Sequence, residues 1–76
     1  MEFEKLRNII VDNLGVDERL INIETDFVHD LGADSLALFG LAIAIEEEFH
    51  IEIAPEAMAG IRRVGDMVEY IGKAVR

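Results

Sequence analysis

The stretch Leu31-Gly32-Ala33-Asp34-Ser35-Leu36 sets one carboxylate and one hydroxyl immediately ahead of an apolar run, and that run closes on Glu46-Glu47-Glu48-Phe49. Two chemistries suit an Asp-Ser pair in that position. Either residue can cap a helix by accepting from a free amide of the first turn. The same end of a helix, with unpaired N–H groups and the positive pole of the helix dipole, also favours a phosphate carried on the serine oxygen. Spacing alone leaves both readings open. Little else in the chain offers reactive chemistry. There is no cysteine, which removes disulfides, thiolate metal sites and a thiol nucleophile supplied by the chain itself. The chain has no G-x-S-x-G elbow and no glycine-rich phosphate loop, so neither hydrolase chemistry nor a P-loop site is expected. His29, Asp30 and Asp34 lie close in sequence, and Glu46 and His50 are four apart on one helix face. Two ligands do not make a firm metal site, and a calcium loop needs a denser acid pattern. The expectation is a protein without catalytic residues and without a metal centre.

The elements that must position Ser35 follow from apolar spacing. Phe3, Leu6, Ile10 and Leu14 recur at helical intervals and Gly15 follows as a C-terminal cap, which predicts a helix over residues 2–14. Residues 15–34 show no long periodicity. Ile21, Ile23, Phe27, Val28 and Leu31 are expected to pin this loop to the core, with one short turn near Glu24 to Phe27. Residues 35–49 carry two apolar stripes, Leu38, Leu41, Ala42, Ile45 and Phe49 on one face and Leu36, Phe39 and Ile43 beside it. A helix apolar round most of its circumference is either buried or touching something else. A bundle this small cannot bury both stripes, so one is expected to face solvent until a partner arrives. Pro55 and Gly60 bracket a short helix at 55–60. Val64, Met67, Val68, Ile71 and Val75 mark a last helix at 65–75, which Gly65 and Gly72 weaken. Phe49-His50-Ile51-Glu52-Ile53-Ala54 is the one strand-like stretch and is short. The fold class expected is all-α: a small bundle of three main helices plus one short helix, in one domain spanning residues 1–76.

Sixteen acidic residues face seven basic ones, a formal net charge of −9. From Leu20 to Ile61 there are nine acids and no Lys or Arg. Such a field repels nucleic acid and anionic membranes and steers basic proteins inward. No segment reads as a signal peptide, and the longest apolar run, Leu41 to Ile45, is far too short to span a bilayer. A soluble cytoplasmic protein, monomeric, with a partner-facing acidic surface is expected.

The stretch FVHDLGADSLALFGLAIAIEEEFHIEI, residues 27–53, resembles acyl carrier proteins. The matching features are the triplet Asp34-Ser35-Leu36 after Leu-Gly-Ala, the segment Glu46-Glu47-Glu48-Phe49 near the end of the same helix, and Val64-Gly65-Asp66 with Tyr70-Ile71 in the last helix. The likeness extends over essentially the whole chain. It implies that a phosphopantetheinyl transferase moves 4′-phosphopantetheine from coenzyme A onto Ser35, and that the arm's thiol carries acyl groups as thioesters for fatty-acid, polyketide or related lipid-biosynthesis enzymes. It further implies that Asp34 and Leu36 flank the arm at its attachment site, that Asp34 helps transferase recognition, and that Leu36, with Phe39 and Ile43, matches the exposed apolar positions of the recognition helix. Phe39, Ile43, Glu46 and Glu47 would meet apolar and basic docking patches on partner enzymes. Leu38, Leu41, Ala42, Ile45 and Phe49 would line an interior space for the acyl chain.

Departures from the family pattern accompany the match. Ala37 and Gly40 stand where members of the fatty-acid type carry acids two and five residues after the serine. The short third helix, Pro55-Glu56-Ala57-Met58-Ala59-Gly60, holds one acid, and Arg62-Arg63 replace uncharged residues. These changes imply a specialised carrier rather than a housekeeping one. The alternatives are an unmodified acidic docking module that uses residues 35–49 only to bind a partner, with Ser35 as a cap, and a peptidyl or aminoacyl carrier.

Overall fold

A computed structural model describes residues 2–75; Met1 and Arg76, the ends of the predicted domain, lie outside it. Four α-helices form in chain order: α1 (Glu2–Leu14), α2 (Ser35–Phe49), α3 (Pro55–Gly60) and α4 (Val64–Ala74). A 3-10 turn, Glu18–Leu20, interrupts the loop after α1. The helix-rich bundle matches the expected class, and α4 begins one residue earlier than its apolar spacing implied. The strand-like residues after Phe49 form no strand: His50 turns through the left-handed region and residues 51–54 link α2 to α3; among the described residues the one isolated β-bridge pairs Asp26 with Arg63.

The three longer helices each contribute one apolar stripe to a shared core. Leu6 and Ile10 come from α1, Leu41, Ala42 and Ile45 from α2, and Val64, Met67 and Ile71 from α4. Gly15 ends α1 in the left-handed region at φ +67°, where its N–H donates to Val11 O at 2.9 Å. That conformation suits glycine because a Cβ would crowd the following carbonyl.

The long loop is ordered by its own polar groups as much as by apolar pins. Ile21 and Phe27 are buried, whereas Ile23 and Val28 are exposed. The backbone explains the difference. Gly65 N donates to Ile23 O at 2.8 Å, Val64 N to Thr25 O at 2.9 Å and Phe27 N to Arg62 O at 3.0 Å, so the loop is fastened to the start of α4 by main-chain bonds. The expected short turn forms at Ile23–Glu24, closed by Thr25 N donating to Asn22 O at 3.1 Å, and a 3-10 turn that the spacing did not indicate precedes it at Glu18–Leu20, where the Asp17 carboxylate accepts from Arg19 N.

Gly65 therefore has a packing role that its helix-weakening tendency hides. A Cβ there would lie 2.8 Å from Ile23 O, a backbone atom that cannot swing aside. Gly65→Ala gains about 1 kcal/mol of helix preference and meets an overpacking cost of roughly 1–3 kcal/mol together with strain on the loop hydrogen bond. A net loss of stability is expected in urea denaturation, the opposite sign from an ordinary helix Gly→Ala change.

Two aspartates, Asp26 in the loop and Asp66 at the start of α4, make the fold acid-sensitive. Asp26 is 7% exposed. Its Oδ1 accepts from His29 N and Val28 N, and its Oδ2 lies 3.7 Å from the Arg62 guanidinium. The His29 N–H first, then the Val28 N–H and the nearby positive groups, hold its carboxyl below the ordinary value of 3.8, against the opposing effect of burial. Asp66 accepts from Arg63 N and Arg62 N and is lowered by those bonds in the same order. A carboxyl whose pKa is lower folded than unfolded adds stability that is fully present above its unfolded value and lost as pH falls through the folded one. A circular-dichroism titration is expected to show constant stability from neutrality to the ordinary carboxylate value and a loss below it. Asp26→Asn and Asp66→Asn should each flatten that acid limb.

Candidate functional site

The start of α2 assigns the capping role to one member of the Asp34-Ser35 pair. Asp34 is the N-cap: its backbone is extended (φ −94°, ψ −179°) and its Oδ1 accepts from Ala37 N at 2.8 Å. Ser35 is the first helical residue and is exposed. Gly32, at φ +67°, turns the chain into this position, with Gly32 N donating to Val28 O at 3.0 Å, while Ala33 is buried and fixes the approach.

The chain has three side-chain hydroxyls, those of Thr25, Ser35 and Tyr70. Thr25 is 4% exposed, and its Oγ1 donates to Leu20 O and accepts from Asn22 N. Tyr70 Oη donates to Glu52 O at 3.1 Å. Those two are engaged in holding the fold. The Ser35 hydroxyl stands at a helix N-terminus, where unpaired amides and the dipole favour a phosphate ester.

An open groove of about 420 Å³ starts at Ser35 and runs along α2. Leu38, Phe39, Ala42, Ile43 and Glu46 form one wall; Ile53, Pro55, Met58 and Ala59, in and before α3, form the other. From Ser35 to Glu46 is eleven residues of helix, roughly 16 Å at 1.5 Å per residue. The lining is almost wholly apolar, so the groove suits an alkyl chain reaching inward from Ser35. Its far wall, Ile53 to Ala59, was not among the sequence candidates; the signal for it is the near absence of charge in Ala54-Pro55-Glu56-Ala57-Met58-Ala59.

The two apolar stripes of α2 separate as their spacing implied. Leu41, Ala42 and Ile45 are at most 9% exposed, whereas Leu36 is 78%, Phe39 66% and Ile43 41% exposed. The groove draws on both stripes. Leu38 and Ala42, from the interior set, line it together with Phe39 and Ile43 from the outer set. Leu41 and Ile45 are sealed in the core, and Phe49 sits elsewhere, beside Lys5, whose ammonium lies 6.0 Å from the ring centroid. Glu47 and Glu48 are exposed. Glu46 turns aside, its Oε2 accepting from Ile53 N at 2.8 Å. Ala37 and Gly40 leave the first half of α2 without acids, so its outer face is apolar near Ser35 and acidic at the far end.

Among the described residues no group of three or more His, Cys, Asp or Glu is arranged to hold a metal ion, and no helix is long and apolar enough to cross a membrane.

Residues 4–71 match the family described as "Phosphopantetheine attachment site". The chain is 49% identical over 71 residues to the acyl carrier protein of Clostridium acetobutylicum, covering 93% of this chain and 92% of that one. It is 51% identical over 69 residues to the acyl carrier protein of Clostridium perfringens (strain 13 / Type A), covering 91% of each. The chain thus belongs to the phosphopantetheine-attachment family: it is an acyl carrier rather than an enzyme, and its covalent prosthetic group is 4′-phosphopantetheine.

Proposed function

We propose that Ser35 bears the phosphopantetheine arm and that the groove between α2 and α3 receives the acyl chain. The observation that carries this reading is the division of labour at the start of α2: Asp34 caps the helix, leaving the Ser35 hydroxyl exposed at the mouth of an apolar groove. When bound, the group supplies the thiol on which acyl chains are held as thioesters. The chain's own residues do the rest. The α2 N-terminus stabilises the phosphodiester charge through its amides and dipole. Leu38, Phe39, Ala42 and Ile43, with Ile53 and Met58 opposite, shelter the alkyl part from water. Burying apolar carbon is worth about 0.8 kcal/mol per methylene, so longer chains favour the groove.

Family membership brings a phosphopantetheinyl transferase and synthase enzymes as partners. We assign their contacts to Asp34 and Leu36 beside the attachment site, to Phe39 and Ile43 on the apolar face, and to Glu47 at the acidic end. The working form is one monomeric carrier domain over residues 1–76 in the cytoplasm. Its role is specialised, served by partners whose patch is apolar opposite Phe39 and basic opposite Glu47. Incubation with coenzyme A, magnesium and a broad-specificity phosphopantetheinyl transferase, followed by intact-protein mass spectrometry, tests the reading. One arm per chain is expected. No adduct with several transferases would leave the unmodified docking module as the better account.

A further inference from the structure

The bases absent between Leu20 and Ile61 return as a pair, Arg62-Arg63, directly before α4. Their backbone is clamped to the long loop. Phe27 N donates to Arg62 O at 3.0 Å, and Asp26 faces Arg63 across the isolated antiparallel bridge. The two nearby carboxylates are turned onto main-chain amides. Asp66 Oδ2 accepts from Arg62 N and Arg63 N, and Asp26 Oδ1 accepts from Val28 N and His29 N. The guanidiniums are less engaged. That of Arg62 lies 3.7 Å from Asp26 Oδ2, beyond hydrogen-bond length, on a side chain that is 70% exposed. Arg63 is exposed and enters no ion pair among the described residues. Ile23 and Val28, on the same clamped loop, are exposed apolar residues. Ile23 O accepts from Gly65 N, two positions after Arg63.

We propose that Arg62 and Arg63, with Ile23 and Val28 beside them, form a docking surface separate from α2, and that its occupant is an acidic segment of a partner enzyme. Carboxylates of that segment meet the two guanidiniums, and an apolar side chain between them meets the loop. The planar fork of arginine suits paired contacts to carboxylate oxygens. The clamped backbone leaves little order to be lost on binding. Nucleic acids and anionic membranes are negative as well, but each is an extended polyanion that meets the whole chain with its net charge of −9. A small acidic patch on a protein feels only the charges within a Debye length, about 8 Å at physiological salt. The surface also lies at the Ser35 end of α2. Phe27, bonded through its N–H to Arg62, accepts through its carbonyl from Ala33 N at 3.0 Å, two residues before Ser35. An enzyme seated there has that serine at its edge, and an enzyme that is basic at this point is rejected.

The test is an amide NMR titration of the unmodified chain, so a failed assignment of Ser35 would not touch it. The probe is the capped peptide acetyl-Glu-Asp-Leu-Phe-Glu-Asp-amide. Saturable shifts are expected at Ile23, Val28, Arg62 and Arg63. Arg63→Glu should raise the peptide's Kd about tenfold. That change leaves the Arg62–Asp26 pair in place, and Arg62→Gln, which alters the other guanidinium, should weaken binding as well. Capped tetraglutamate, with the same charge and no apolar residue, should bind more weakly than the peptide. Vesicles of phosphatidylglycerol and phosphatidylcholine should leave these amides unmoved. The proposal is overturned by an absence of shifts, by equal shifts at the exposed bases Arg19 and Lys73, or by an unchanged Kd in Arg63→Glu. Equal binding of tetraglutamate would overturn it too, and so would vesicle binding that Arg63→Glu abolishes, which would assign the surface to a membrane.

Discussion

Ser35→Ala is expected to abolish loading of the arm while leaving the fold at nearly full stability. The two effects come apart because the cap is Asp34, not Ser35. Ser35 is exposed at the first helical position, where alanine is a good helix former, so the change should move stability by less than about 0.5 kcal/mol in urea denaturation. Asp34→Ala instead removes the acceptor of the Ala37 N–H bond and should cost about 1 kcal/mol. An unmodified docking module that used Ser35 as its cap would show the reverse ranking. Loss of loading with an unchanged denaturation midpoint separates attachment chemistry from structure, and equal loading of the variant would refute the assignment of Ser35.

Phe39→Ala is expected to produce the largest loss in partner recognition. Phe39 is 66% exposed and flanked on the same face by Leu36 and Ile43. A large aromatic ring left in water by a small protein is a binding anchor when it meets a complementary pocket, and truncating such an anchor costs on the order of 2 kcal/mol. With its own synthase or acyl-transferring partner, kcat/KM should fall roughly thirtyfold at that cost. Because the ring packs little against the core, stability should change far less. The reciprocal change is Gly40→Glu with Ala37→Asp, which adds acid to the half of α2 that lacks it. Recognition should then shift toward partners with basic patches and become more sensitive to salt. Unchanged rates for Phe39→Ala with the cognate enzyme would remove the apolar face from the docking account.

How much of this was legible in the sequence depends on whether the responsible contacts are local. The bounds of α1, α2 and α3 were readable because their signals lie within a few residues: Gly15 after α1, Asp34 before α2, Pro55 and Gly60 about α3. The separation of Leu41, Ala42 and Ile45 from Leu36, Phe39 and Ile43 was readable as well, since helical periodicity fixes which side chains share a face. Gly65 reads locally as a mere weak point, because the Ile23 carbonyl it must clear is 42 positions away and enters only through tertiary packing. Ile23 and Val28 look like loop pins by composition, yet main-chain bonds to α4 do that work. At the candidate site, Ser35 stood out through its neighbours, whereas the groove's second wall did not. Nothing local indicates that Ile53 and Met58 face Ala42. Glu46 is indistinguishable from Glu47 in the triplet, and only the reversal at His50 brings an amide within its reach.

The carrier chemistry turns on one oxygen, the Ser35 hydroxyl. The most direct measurement is tandem mass spectrometry of the enzymatically loaded chain, with fragment ions that bracket Asp34, Ser35 and Leu36 separately. One phosphopantetheine per chain is expected, carried on Ser35 and absent from peptides containing Thr25 or Tyr70. An arm found on any other residue, or loading that survives in Ser35→Ala, would contradict it.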